Sequence, residues 1–412
     1  MLVNFLKKST AAFLLLIVIG VLIFNIKLYY QPQYKASGTG SIHQGLLNQL
    51  NHLKAKMHNG AADDMQRIYP EGFVFLQALY GLNWIELSES FEGGEQLYQE
   101  AQEEINWVLK ELSSKKAKQP FRQNLKPSYG IFYRGWSNYV LGRKIQSIPE
   151  TDRDTTELNL FHHNCASIVD ALQKQESPFL ESYYQACWPA DMMAGMASIA
   201  IHEEIFPGEY RQAIRNWLDK VESQTDASGL IPHSCDCESG VPIESARGSS
   251  QSLILNFLID IDATYAKSKF DIYKERFLDY RIGLPGVREY PEGYRGNGDI
   301  DSGPVIWEIG GAASIVGQRT MAIYGEDDVA IGLRNSIEAF GMGKTIGRKK
   351  NYLFGALPIA DAFIAWSNAI EAQKSNRLIA NKNWRLKIQL LSLLLLILGG
   401  LIMLRLLKKP TV

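Results

Sequence analysis

Trp188-Pro189-Ala190-Asp191-Met192-Met193-Ala194-Gly195-Met196-Ala197 opens with a proline, follows it with an acid, and runs on in small and apolar residues. Proline at the first helical position and an acid in the first turn are ordinary helix-start signals. A helix without a polar face must be covered on every side. The stretch therefore predicts a buried helix over 189–205. Related starts recur at Pro70, Arg134, Pro189, Arg247, Gly303 and Pro358, at intervals of 64, 55, 58, 56 and 55 residues. Gly310-Gly311-Ala312-Ala313 repeats the small-residue character, whereas the segments between the starts, such as Glu95 to Lys110, carry more charge. The apolar members read as an inner layer and the charged ones as an amphipathic outer layer.

Helical periodicity with caps and breakers places twelve helices near 43–58, 71–90, 94–114, 132–146, 154–175, 189–205, 208–224, 247–267, 269–282, 303–323, 325–341 and 358–374. Alternating strand patterns are almost absent. A fixed spacing of one helix pair signals a repeat. Six hairpins of this length close naturally into a ring of six inner and six outer helices, and an open α-solenoid is the other arrangement the spacing allows. The fold class is all-α, with the repeat domain over 40–375.

The chain has 412 residues with 43 Lys+Arg against 44 Asp+Glu, a balance that offers no basic surface for nucleic acid. An apolar content of 46% excludes a disordered chain. The ends are different again. Ser9 to Ile26 and Ile388 to Leu404 are uncharged runs of near membrane-spanning length. They define an N-terminal transmembrane anchor within 1–30 and a C-terminal transmembrane helix within 384–407, so the bilayer is a partner. Lys7 and Lys8 precede the first run, and Arg405, Lys408 and Lys409 follow the second. Basic flanks favour the cytoplasm, which predicts a two-pass protein with cytoplasmic termini and an extracytoplasmic domain. Lys382, Arg385 and Lys387 sit on the opposing side of the second run and weaken that bias. Cys165, Cys187, Cys235 and Cys237 allow three full disulfide connectivities; Cys165 with Cys187 is one candidate pair.

Parallel inner helices all start at one end, so the residues there share one mouth. They include Tyr69 and Glu71, Tyr133, Arg134 and Trp136, Trp188 and Asp191, Arg247 and Gln251, Asp299 and Asp301, and Asp361. Long loops at 115–131, 225–246 and 283–302 lead to several of them, and such loops commonly display working residues. Glu71, Asp191 and Asp361 also fit plain helix-dipole complements, and Asp301 with Ser302 fits a cap. Arg134 and Arg247 are cations at positive helix ends, unfavourable by roughly 0.3–1 kcal/mol each, and so call for a carboxylate such as Glu71, Asp191 or Asp301, or an anionic ligand. His233-Ser234-Cys235-Asp236-Cys237 is too tightly spaced for a structural zinc knuckle, and no metal or cofactor is expected. His233 reads as an acid/base or hydrogen-bonding group, or the segment is simply a loop with thiols. His162-His163 falls on an outer helix and reads as surface. Asp191 and Asp301 start the third and fifth inner helices, which in a regular ring sets their carboxylates about 7–10 Å apart, near the spacing of an inverting glycosidase. Asp299 or Glu71 are the substitutes for either member.

Over roughly 40–375 the chain resembles the six-hairpin (α/α)6 toroid superfamily, and within it the linalool dehydratase/isomerase-like group. The resemblance rests on the repeat and on Gly229-Leu230-Ile231-Pro232-His233 and Gly298-Asp299-Ile300-Asp301-Ser302-Gly303-Pro304. It implies a site in the funnel at one end of the inner helices, and a cysteine role that Cys235 or Cys237 would fill. Three functions follow as expectations. One is a glycan hydrolase or lyase, with Tyr69, Tyr133, Trp136, Trp188, Tyr290 and Tyr294 as sugar-stacking rings. Another is a dehydratase or isomerase of an isoprenoid alcohol in a drier pocket. The last is a non-catalytic binding or scaffold domain. An open, aromatic pocket favours the first, a closed apolar one the second, and a filled one the third.

Overall fold

The computed structural model describes residues 2–37, 40–91, 96–299, 302–373 and 384–407. The chain is mostly helical. Its first half holds α1 (Leu2–Lys27), α2 (Gln44–Met57), α3 (Ala61–Ile68), α4 (Gly72–Ser88), α5 (Gln96–Ser113), α6 (Lys115–Lys118), α7 (Gly130–Ser147) and α8 (Thr155–Gln173). Then come α9 (Pro189–Ile205), α10 (Arg211–Ser223), α11 (Gly248–Ile261), α12 (Ala263–Phe277), α13 (Gly311–Ile323), α14 (Asp327–Phe340), α15 (Pro358–Gln373) and α16 (Leu386–Leu407). Five short antiparallel hairpins are the only sheets among the described residues.

Packing separates the helices as their compositions require. α4 packs on α7, α7 on α9, α9 on α11, α11 on α13, α13 on α15, and α15 on α4. These six are buried almost all round; in α4 only Phe75 among Gly72–Ser88 keeps partial exposure. The charged helices lie against them: α2 on α15 and α4, α5 on α4 and α7, α8 on α7 and α9, and α10, α12 and α14 on α9, α11 and α13. α10 buries only Ile214, Trp217, Leu218 and Val221, a single stripe at helical spacing. The glycines in the inner layer permit close backbones: a Cβ on Gly135 would stand 2.9 Å from the Gly195 amide nitrogen of α9. The middle of the inner layer is filled by rings, with Phe75 4.9 Å from Trp136, Trp136 5.3 Å from Phe257, and Phe257 6.0 Å from Trp366.

Several boundaries differ from the periodicity. The expected helix 247–267 ends at Ile261, because Asp262 accepts a hydrogen bond from the Tyr265 amide and caps α12. That helix in turn stops at Phe277, and 278–287 is a hairpin rather than a helical end. The fifth inner helix starts at Gly311, not Gly303. Val305–Ile306 pairs with Ile309–Gly310 instead, and the turn between them puts Trp307 and Glu308 at positive φ. Asp299 therefore precedes a hairpin, not a helix.

Phe5–Lys27 and Leu386–Leu407 are long and apolar enough to cross a membrane. They pack on one another, and α1 also packs on α14. Phe24 meets Phe340 edge-on at 5.0 Å, Asn335 donates to the Leu28 carbonyl at 2.9 Å, and Arg385 donates to the same carbonyl at 2.7 Å. Phe340 ends α14, so the apolar helices join the domain beside the end at which the inner helices begin.

Candidate functional site at the start of the fourth inner helix

Arg247 immediately precedes α11 in extended conformation. The chain 288–289 lies so close that a Cβ on Gly248 would fall 1.8 Å from the Arg288 carbonyl oxygen, so only glycine fits there. That approach brings Glu289 to the helix start. Arg247 Nε donates to Glu289 Oε1 at 2.9 Å and Nη1 donates to Asp299 Oδ2 at 2.6 Å. Ser249 also donates to Glu289 Oε1 at 2.7 Å. The Ser302 amide donates to Asp299 Oδ1 at 2.8 Å, and the Asp299 amide donates to Ser302 Oγ at 2.9 Å, which fixes the loop. The guanidinium carbon lies 5.4 Å from the Tyr290 ring centre. The cation that looked misplaced is thus held by two carboxylates.

His233 completes the cluster. Its Nδ1 lies 2.6 Å from Ser250 Oγ and its Nε2 lies 3.3 Å from Arg247 Nη1. An arginine can only donate, so Nε2 accepts and the proton sits on Nδ1, directed at Ser250. Burial, then the neighbouring Arg247 charge, push His233 down to about 4, and the ring is neutral at physiological pH. The two carboxyls are driven apart. Burial raises Glu289 above the ordinary range despite its bonds to Ser249 and Arg247. Burial also opposes ionisation of Asp299, but Arg247 and the Ser302 amide outweigh it and hold Asp299 well below that range. Glu289 is 0% exposed, whereas the Asp299 side chain is 46% exposed. Asp299 therefore meets solvent and Glu289 does not. Two polar atoms of the cluster, Arg247 Nη2 and Glu289 Oε2, are buried without a hydrogen-bond partner among the described residues.

A disulfide between Cys187 and Cys237 ties the 233–237 loop to the residue before Trp188. This replaces the Cys165–Cys187 pairing considered from sequence. Cys165 is buried and receives a hydrogen bond from Asn138 at 3.2 Å. The disulfide also removes Cys237 from the two thiols that the resemblance offered. Cys235 is left, buried, with its thiol pushed up to about 12 by burial.

Of the residues read as one mouth, the structure brings Arg247 and Asp299 together, and it adds His233 and Tyr290, which were singled out separately. Others take structural positions. Trp136 is fully buried in the aromatic filling, and Tyr133 is buried with its hydroxyl on the Leu112 carbonyl at 2.9 Å, so neither forms an open wall. Arg134 lies one turn inside α7, which begins earlier than expected, and donates to Asn164 of α8 at 2.8 Å. Gln251 is buried and donates to the Ile231 carbonyl at 2.6 Å, holding the loop that carries His233. Asp361 is buried, accepts from the Tyr352 amide at 2.8 Å, and is raised by burial to about 7. Tyr69, Glu71, Trp188 and Asp191 are half-buried around other helix starts. Asp301 lies outside the described residues.

Glu289 was not singled out by sequence reading. The demand of Arg247 for a carboxylate, which from sequence goes to Glu71, Asp191 or Asp301, is met instead by Glu289 and Asp299. That demand and the long 283–302 loop are the signals that could have found Glu289. No protein-family model matches the chain, and no curated protein matches it.

Proposed function

We propose that the chain is a membrane-anchored enzyme of the (α/α)6 toroid type that carries out acid/base hydrolysis or elimination on a glycan at the Arg247 cluster. The cyclic order of inner-helix contacts, returning from α15 to α4, supports the toroid. One observation carries the functional reading: two carboxyls of opposed proton affinity share one arginine, and a buried N–H of that arginine and a buried oxygen of Glu289 stand without partners among the described residues. Acid/base chemistry needs titratable groups whose environments separate their proton affinities. Asp299 is the substrate-facing base, Arg247 sets its charge, and Glu289 positions Arg247. Tyr290 supplies a ring face beside it, 5.4 Å from the Arg247 guanidinium carbon. This assignment moves the working carboxylate from the Asp191–Asp301 pair to Asp299.

The ring-filled interior on its own favours a non-catalytic binding or scaffold domain. The solvent-facing Asp299 at the helix start is what favours chemistry over it. The isoprenoid alternative has its own support. Phe340, Met342, Ile346 and Phe354 are exposed apolar side chains on 340–354, the stretch that follows α14 and lies beside α1. A bilayer surface next to the site would deliver a membrane-borne alcohol. One experiment separates the two. The detergent-solubilised full chain is assayed for reducing ends released from an oligosaccharide panel and for alkenes formed from prenyl alcohols. Release of reducing ends, lowered by at least ~100-fold in Asp299→Asn, is expected, since a positioned acid/base group contributes about that much or more. Alkene formation without reducing ends would hand the site to the dehydratase reading.

The domain is read as extracytoplasmic, with both termini in the cytoplasm. The basic residues at the outer ends of α1 and α16 support this, as does a disulfide, which persists in oxidising compartments. An alkaline phosphatase fusion after Val412 should be inactive, and the same reporter inserted after Gly208 should be active. In non-reducing conditions a thiol reagent should label two cysteines, Cys165 and Cys235, and only after unfolding. The reverse fusion pattern, or four labelled thiols, would return the domain to the cytoplasm.

A further inference from the structure

Away from the Arg247 cluster, within α8, in the last turn of α9 and in the turn before α10, three potential ligands from separate parts of the chain converge. His162 Nδ1 lies 3.0 Å from His202 Nε2. Glu209 Oε2 lies 3.8 Å from the first nitrogen and 3.9 Å from the second. A circle through three atoms at these separations has a radius of about 2.1 Å, which matches zinc–nitrogen and zinc–carboxylate bond lengths. A small ion at its centre reaches all three atoms without rearrangement.

The surroundings hold that geometry. His202 is 0% exposed, with its ring 4.8 Å from Phe206, 4.7 Å from Tyr210 and 5.8 Å from Phe161. Its Nδ1 is buried without a partner among the described residues, so Nε2 is the atom through which the ring makes its polar contact. Glu203 fixes the turn that presents Glu209, accepting from the Gly208 amide at 2.6 Å and the Tyr210 amide at 2.9 Å. His162 and Glu209 keep half-exposed side chains, 49% and 40%. The set is thus closed on the His202 side and open to solvent on the other.

We propose that His162, His202 and Glu209 form a binding site for a borderline divalent transition ion of the zinc class, with a solvent-facing position left for water. Two imidazoles and one carboxylate suit zinc and its neighbours; calcium and magnesium prefer all-oxygen sets. The site lies at the opposite ends of the inner helices from the Arg247 cluster and is independent of the function proposed there. It is also independent of the His233 loop, whose spacing does not suit a metal. His162, read from sequence as a surface residue, is exposed yet joined to a buried partner forty positions on.

The test uses untagged full-length chain in detergent, stripped with EDTA and titrated with zinc chloride against a chromogenic chelator. Cobalt chloride serves as a spectroscopic stand-in. One equivalent of zinc is expected, with visible cobalt absorption of a low-coordinate nitrogen–oxygen site. His162→Ala and Glu209→Gln should each weaken zinc by more than ~100-fold, beyond the loss typical of an outer-shell partner. His163→Ala, the exposed neighbour, should bind as the parent does. Both diagnostic positions are at the surface, so the variants fold whether or not His202→Ala does. The proposal is overturned if the parent takes up no stoichiometric zinc, or if His162→Ala and Glu209→Gln titrate like the parent.

Discussion

Arg319→Ala is expected to cost about 3–5 kcal/mol of stability, the range for stranding one charge of a buried pair. Arg319 of α13 forks onto Glu86 of α4 at 2.7 and 2.9 Å, and their side chains are 7% and 2% exposed. The same guanidinium donates to the Trp366 carbonyl of α15 at 2.7 Å and lies 4.3 Å from that ring. Trp366 Nε1 donates to Glu86 Oε1 at 3.1 Å. The first, fifth and sixth inner helices thus meet through one ion pair in the apolar interior. Truncation leaves Glu86 dry and unpaired. Replacing both charges, as in Glu86→Met with Arg319→Met, removes the stranded group and should recover most of the loss. Denaturant unfolding of the detergent-solubilised chain, followed by helical circular dichroism, measures both variants. A loss below 1 kcal/mol for Arg319→Ala would show that this junction does not hold the helices together.

That junction also shows what a sequence can and cannot convey. Glu86 and Arg319 are lone charges in apolar helices, so each visibly needs a partner, but nothing local says that they are each other's. Where the determinants are local, the reading was close. Pro189 and the run after it delimit α9 at Pro189–Ile205, as expected. Where a cap competed with periodicity, the reading slipped: apolar spacing continues through Ile261 and Asp262, but the Asp262 carboxylate satisfies the next helix's amides instead. Hairpins such as 305–310 are too short for an alternating pattern to register. At the site, His233, Arg247, Tyr290 and Asp299 were legible because they stand on long loops or at a helix start. Glu289 was hidden because a loop carboxylate has no periodicity, and its role comes from the contact at Gly248. The aromatic residues misled for the converse reason. Ring composition is the same for a filled interior and for a ligand wall, and Trp136 belongs to the interior.

At the Arg247 cluster the second large effect is predicted, and it carries a pH signature. Arg247→Ala removes the cation from Glu289, which is fully buried, and so should cost about 3–5 kcal/mol at pH 7. The Asp299 arm adds little to this, because that carboxylate is half-exposed and screened by water. Glu289 already has a proton affinity raised by burial in the parent, and losing Arg247 raises it further. A carboxyl whose folded-state pKa lies above its unfolded value penalises folding at higher pH. The penalty fades as pH falls through the folded pKa and is gone below the unfolded value, about 4.3. The stability gap between parent and Arg247→Ala should therefore narrow from pH 7 to about 4. Asp299 does not blur this window, since its depressed pKa confines its contribution to change below about 3.9. Glu289→Gln in the Arg247→Ala background removes the stranded charge, and should flatten the pH dependence while recovering much of the stability. Arg247→Lys separates function from fold: an ammonium keeps the charge but cannot make the two-pronged contact to both carboxylates, so turnover should fall while the melting midpoint changes little. A gap between parent and Arg247→Ala that stays constant from pH 4 to pH 7 would assign the loss to packing around the guanidinium, and would take from Glu289 its role as the carboxylate that holds Arg247 in place.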